Sequence, residues 1–305
     1  MFRIRKTIEA LVMTKKLEGV FVAMVTPFTS QDEIDSDAIR GNVDYYIEND
    51  IHGIIPCGST GEFASLSLSE HKKVIDVVVD QVNGRVPVVC GTGACSTKRA
   101  LELTKYTEDA GADGALIIPP FYTKPGEPEI YDYYRTIANA MNFPVMAYNN
   151  PSTSKIDMQP SFIAKLSQIE NIRYVKETSG DVTRIWRIRN LTRDKILVFC
   201  GCDNLALESF LLGARGWVSP APNIIPKQCV KLYNTICIQK DFEKARTLYE
   251  KLLPLFNLLE ETGKYIHFSK AALDMMGERG GKPRKPLLPV TDKEMETLRE
   301  LLPDT

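Results

Sequence analysis

Between residues 19 and 220 the chain repeats one pattern of apolar and polar positions. A short β-branched run is followed by Gly, Pro, Ser or Thr, and then by a stretch with helical spacing. The runs are GVFVAMV (19–25), GIIPC (53–57), VPVVCG (86–91), GALII (114–118), PVMAY (144–148), IRYVK (172–176), ILVFC (196–200) and GWVS (216–219). Their apolar character is mostly continuous, the pattern of parallel strands covered on both faces. Helix starts are readable in between. Asp35 stands ahead of Ile39, Val43 and Ile47, and a Ser67–Glu70 capping box precedes Val74, Val77, Val78 and Val82. Asn204 precedes a segment that stops at Gly213.

Eight such units in about 200 residues predict an α/β fold, a closed (β/α)8 TIM barrel over residues 19–222 that follows an N-terminal extension at 1–18. A doubly wound open sheet is the rival. It is disfavoured because no strand is followed by Gly-x-Gly-x-x-Gly with an acidic residue at the next strand end, and Gly91-Thr92-Gly93 alone signals a turn. Residues 223–305 change character and read as the closing barrel helix plus a C-terminal helical appendage. An amphipathic helix at 241–261 with an internal Pro254 is followed by a helix at about 264–276, a loop at 277–290 and a last helix at 292–302.

Composition removes several function classes. The 38 Lys and Arg nearly cancel 39 Asp and Glu, which argues against a nucleic-acid binder driven by phosphate charge. No apolar run approaches the roughly 20 residues needed to span a bilayer. Seven cysteines in a chain of 305 residues fit reduced thiols in a cytoplasmic compartment. The three histidines form no ligand pair, and Cys200-Gly201-Cys202 is too tightly spaced for a zinc knuckle, so no metal is expected. No cofactor motif was found either. The first fourteen residues are mildly basic without a signal peptide's apolar region; a frayed tail or a start upstream of Met13 is favoured over a transit segment.

A barrel of this kind carries its site at the C-terminal strand ends. That rule selects Thr26, Ser59-Thr60-Gly61-Glu62, Tyr122, Tyr148-Asn149-Asn150, Lys176-Glu177-Thr178, Gly201-Cys202-Asp203 and Ser219. If Tyr174 points inward, alternation turns Lys176 inward too, where an ammonium is costly unless paired. Either Lys176 pairs with Glu177 or a rim carboxylate, or it is an amine nucleophile that forms a Schiff base with a carbonyl or cyclic imine. Tyr148 ends the neighbouring strand and can move protons for such a lysine, with Ser59, Thr60 or Tyr122 as a relay. The alternative for each tyrosine is plain packing. Gly58 and Gly61 bracket Ser59 and Thr60 in a GSTGE turn suited to a carboxylate, or to nothing beyond joining a strand to a helix that Glu62 begins.

GSTGE at 58–62, PPFYTKP at 119–125, YNNP at 148–151 and VKETSGD at 175–181 resemble, in order and spacing, the dihydrodipicolinate synthase/N-acetylneuraminate lyase family of Schiff-base barrel enzymes. The resemblance runs from about Gly19 to the C-terminal helices. It implies Lys176 as the Schiff-base residue and Tyr148 as the proton-transfer residue, with Ser59 beside the substrate carboxylate and Tyr122 reaching into a neighbouring subunit's relay. Thr60, Gly58, Gly61, Asn150, Thr178, Ser219 and the backbone at Gly201 are expected around the substrate, a small carboxylated 2-oxo acid or cyclic imine. It also implies a homotetramer built from dimers, with a dimer as the lesser assembly. In the synthase branch an arginine follows the catalytic tyrosine's Asn-x-Pro-x, where this chain has Thr153, and Cys202 alters an acidic pair. NNPSTSKIDM (149–158), ETSGDVTRI (177–185) and GCDNLALESFLLGARGWVSPAPNIIP (201–226) resemble the 1-pyrroline-4-hydroxy-2-carboxylate deaminases instead. The expectation is therefore a metal-independent deaminase yielding 2,5-dioxopentanoate and ammonia. The alternatives are 4-hydroxy-tetrahydrodipicolinate synthase, another pyruvate-dependent aldolase or a 2-keto-3-deoxy-acid dehydratase, and more remotely a non-catalytic binding barrel.

Overall fold

The computed structural model describes residues 16–302, so the expectations for the first fourteen residues lie outside the described residues. The strands are β1 (Gly19–Ala23), β2 (Gly53–Ile55), β3 (Val89–Gly91), β4 (Gly114–Ile117), β5 (Val145–Asn149), β6 (Ile172–Glu177), β7 (Leu197–Cys200) and β8 (Gly216–Ser219). They run parallel in the order β2-β1-β8-β7-β6-β5-β4-β3, and a parallel bridge from Ile54 to Val88 closes the seam between β2 and β3. The (β/α)8 barrel is as the pattern predicts.

The intervening helices are α1 (Ser36–Glu48), α2 (Leu68–Val82), α3 (Thr97–Asp109), α4 (Glu127–Ala138), the short α5 (Pro151–Ser154), α6 (Pro160–Leu166), α7 (Thr183–Thr192) and α8 (Ala206–Leu211). After β8 come α9 (Pro226–Tyr233), α10 (Phe242–Glu261), α11 (Tyr265–Met275) and α12 (Asp292–Leu301). Asp35 caps α1 by accepting the Ala38 N–H at 2.9 Å, and Ser67 and Glu70 exchange bonds as a capping box on α2. Asn204 does not stand at a helix start. Residues Asp203–Leu205 form a tight 3-10 turn, Asn204 Nδ2 donates to Asn257 Oδ1, and α8 begins at Ala206. Helix α10 continues through Pro254.

Two apolar layers follow from strand alternation. Outward residues such as Val20, Val22, Ile54, Val175 and Val198 join the helices in the larger core. Inward residues, among them Phe21, Ile55, Val89, Leu116, Met146, Tyr174, Phe199 and Val218, fill the barrel. Phe199 lies edge-on to both Phe21 and Tyr174, with ring centroids 5.4 and 5.9 Å apart. Gly53 and Gly216 make that layer possible: a Cβ at either would sit within 2.2 Å of the Phe21 or Phe199 ring. Leu17 closes the far end, its N–H donating to the Tyr174 hydroxyl at 3.2 Å. The barrel is thus filled from its N-terminal end, leaving the opposite mouth for chemistry.

Candidate active site

With Tyr174 inside the barrel, Lys176 two residues on points inward as well, only 6% exposed. Register pairs Tyr148 on β5 with Lys176 on β6, and the Lys176 ammonium stands 4.4 Å from the centre of the Tyr148 ring. No carboxylate among the described residues lies within ion-pairing distance of it. Glu177, the expected alternative partner of Lys176, faces the other way. Its carboxylate accepts Asn149 Nδ2 at 3.0 Å and the Ser179 N–H at 2.8 Å, and burial pushes its pKa up in spite of those bonds.

The Tyr148 hydroxyl accepts a bond from Asn150 Nδ2 at 2.8 Å. Asn150 is itself held: its Oδ1 caps α5 through the Thr153 N–H and accepts the Ser152 hydroxyl. Asn150 therefore orients Tyr148 and spends its amide doing so. Ser59 and Tyr148 line one pocket, which Gly58, Phe63, Gly91 and Leu116 help to wall. The Ser59 hydroxyl in that pocket, and the Thr178 hydroxyl beyond Lys176, are buried without a hydrogen-bond partner among the described residues. Unsatisfied buried hydroxyls at a barrel mouth are the kind a ligand completes. Within the turn, the Gly61 and Glu62 N–H groups close onto the Gly58 and Ser59 carbonyls, and Thr26 donates to the Gly61 carbonyl at 2.8 Å. Thr60 is buried beside them.

Three expected contributors are placed differently from the expectation. The Gly201 N–H already donates to the Glu177 carbonyl at 2.8 Å, continuing the β6–β7 ladder. What Gly201 supplies is space, since a Cβ there would lie 1.8 Å from Thr178 Oγ1 and 2.9 Å from Lys176 Cε. Ser219 follows inward Val218 and so faces the helix layer, where its hydroxyl accepts the Ala221 N–H. Tyr122 is 90% exposed, and no described residue bonds its phenol, so it does not complete a relay to Tyr148 within its own chain.

Sequence reasoning missed the groups that hold the turn. Glu62 precedes only a single 3-10 turn, Phe63–Ser65, and the helix proper starts at Leu68. Glu62 adopts a left-handed φ of 55° and forms a buried ion pair with Lys270 at 2.5 Å, while its other oxygen accepts the Arg284 N–H. Arg284 lies over the Phe28 ring, 4.1 Å from its centre, and makes a two-pronged contact with Glu70, whose pKa it lowers to about 2. A second buried cluster was also missed: Asp203 accepts the Trp217 indole N–H, and Glu260 on α10 accepts the Asp203 backbone N–H. Burial beside Glu260 raises the Asp203 pKa.

The profile of the dihydrodipicolinate synthetase family matches residues 16–305. The chain belongs to that family. Two curated relatives, the 4-hydroxy-tetrahydrodipicolinate synthases of Methanothrix thermoacetophila and Syntrophobacter fumaroxidans, are each 40% identical over 285 residues, covering 93% of this chain and 95% and 97% of theirs. Among solved structures, the dihydrodipicolinate synthase of Acinetobacter baumannii in complex with pyruvate has a TM-score of 0.88 at 36% identity, covering 94% of this chain and 98% of that one. The Aquifex aeolicus dihydrodipicolinate synthase has a TM-score of 0.89 at 34% identity, covering 94% and 97%. A dihydrodipicolinate synthetase family member with this barrel and Lys176 at its mouth is an enzyme of the class I, Schiff-base lyase type, which removes the non-catalytic barrel from consideration. Among the described residues no cluster could hold a metal ion, and no helix is long and apolar enough to cross a membrane.

Proposed function

We propose that this enzyme activates pyruvate or a close 2-oxo acid at Lys176 and condenses it with an aldehyde, the reaction type named for its 4-hydroxy-tetrahydrodipicolinate synthase relatives. The observation that carries this is the buried Lys176 amine, with no carboxylate at ion-pairing distance among the described residues, against the Tyr148 ring on the next strand. The free amine adds to the C2 carbonyl, and loss of water from the carbinolamine gives an iminium. Loss of a C3 proton then gives the enamine that attacks the aldehyde, and returning water releases the lysine. Tyr148 carries the protons. Its oxygen is held by Asn150, which leaves the phenolic hydrogen free to point at the reacting atoms. Ser59 and Thr60 hold the 2-oxo acid's carboxylate. Tyr122, exposed in a single chain, is suited to completing the relay of a second copy.

A specific observation keeps deamination of 1-pyrroline-4-hydroxy-2-carboxylate as the second reading. Thr153 on α5 is exposed and offers a hydroxyl where the synthase pattern has a guanidinium. The nearby cations are engaged: Arg184 grips Asp157 through two bonds at 2.5 and 2.8 Å, and Lys155 turns back onto the Ser152 carbonyl. A missing charge-assisted grip on the second substrate's carboxylate costs about 2–5 kcal/mol. In this reading Lys176 adds to C2 of the imine, the ring opens, and loss of the C4 hydroxyl followed by hydrolysis releases ammonia and 2,5-dioxopentanoate. Both assays on one preparation decide between them. Condensation of pyruvate with aspartate semialdehyde without ammonia release from the pyrroline supports the first reading, and the opposite result replaces it with the second.

A further inference from the structure

Away from the barrel mouth, the C-terminal segment lines a second, solvent-open cavity of about 310 Å3. Helix α11 supplies His267, Lys270, Asp274 and Met275, and α12 supplies Met295. The loop between these helices adds Lys282, Pro283 and Val290. Asp274 is already used, accepting the Gly280 and Gly281 N–H groups at 2.8 and 3.1 Å. Two polar groups remain open. Lys282 is exposed, and its ammonium has no partner among the described residues. His267 Nδ1 is buried without a hydrogen-bond partner there, and burial drives the ring toward its neutral form. An unpaired cation and an imidazole nitrogen suit a carboxylate, while Met275, Pro283, Val290 and Met295 suit an apolar body.

The cavity wall is wired to the catalytic turn. Lys270 Nζ donates to the Lys282 carbonyl at 3.0 Å and ion-pairs with Glu62. Glu62 holds a left-handed backbone that a non-glycine residue keeps only where its surroundings impose it. Lys270 and the Arg284 N–H are the groups that grip its carboxylate. Displacing the Lys282 loop therefore disturbs the ammonium that fixes Glu62, and through the Glu62 N–H bond to the Ser59 carbonyl it disturbs the turn.

We propose that this cavity is an effector site for a small carboxylate with an apolar body, and that its occupancy is read at Ser59 and Thr60 through the Lys270–Glu62 pair. Isocaproate is the probe, having no oxo group for Lys176 to attack, and isoamylamine is the charge control. Titration calorimetry on the full chain is expected to give saturable binding of isocaproate and none of isoamylamine. Lys282→Ala should weaken binding about tenfold, the value of one modest charge-assisted contact, and Met295→Trp should abolish it by filling the space. In turnover assays isocaproate should change the KM for the 2-oxo acid in the wild type and lose that effect in Met295→Trp. No saturable heat at millimolar isocaproate, or undiminished binding to both variants, overturns the site. Binding without any kinetic change overturns the coupling. Should Met295→Trp fail to fold, the exposed Lys282 still decides the matter, and the calorimetry stands whichever substrate the enzyme turns over.

Discussion

Lys176 and Tyr148 are placed by strands, whereas Ser59 and Thr60 are placed by a turn held from the far end of the chain. The first pair sits at one register level on β5 and β6, so backbone hydrogen bonds alone bring amine and phenol together. The second pair depends on Glu62, whose carboxylate is gripped by Lys270 and Arg284, the latter contact spanning 222 residues of sequence. One half of the mouth is therefore as rigid as the barrel, and the other is as stable as the docking of its C-terminal segment. Substitutions in the two halves should fail in different ways.

The largest effect belongs to the strand half. Lys176→Ala should abolish turnover while the fold is kept, because no direct ion pair is broken and the Asp203–Glu260 pair loses only a longer-range attraction. Tyr148→Phe should lower kcat by about 10²–10⁴-fold, the range for a positioned acid or base, with little change in KM. Near-normal turnover in that variant would reduce Tyr148 to packing. In the turn half the order of effects reverses. Lys270→Ala leaves Glu62 buried without its cation and should cost about 3–5 kcal/mol in urea unfolding, with KM rising more than kcat falls. A variant of normal stability and normal KM would break the comparison.

His71 gives the turn half a pH signature. It lies on α2, 3% exposed, and its Nε2 bonds the Gly91 carbonyl at 2.8 Å. Burial lowers its pKa to about 4. Because the folded value is below the unfolded one, the unfolded chain binds more protons between the two. This contribution is complete above the unfolded pKa of about 6.5, and about 3 kcal/mol of it is lost as the pH falls toward 4. Melting temperatures measured over that interval should fall less steeply for His71→Asn than for the wild type. Parallel slopes would show that His71 titrates alike in both states.

The same division explains what the sequence could disclose. Continuous apolar runs carry the barrel, and period-two alternation from Tyr174 aims Lys176 inward, so the nucleophile follows from local pattern. Ser219 and Gly201 show where a list of strand ends falls short: membership does not say which face a residue takes, or whether its amide is already spent on the ladder. Glu62 is harder still. Its partners Lys270 and Arg284 lie in a helix and a Gly-rich basic loop with no periodicity linking them to the turn. Tyr122 is legible only as an exposed tyrosine, since no described residue bonds its phenol. Thr153 carries the opposite lesson. Thr153, the altered acidic pair at Cys202 and three stretches of likeness pointed to deamination, yet relatives 40% identical across nearly the whole chain are 4-hydroxy-tetrahydrodipicolinate synthases.

The most direct test of the account is reduction of the enzyme with borohydride in the presence of pyruvate, followed by intact mass and peptide mapping. The account predicts a single reduced adduct on the peptide that carries Lys176, absent from Lys176→Ala. An adduct mapped to a different lysine, or none with pyruvate and none with the hydroxypyrroline, would contradict it.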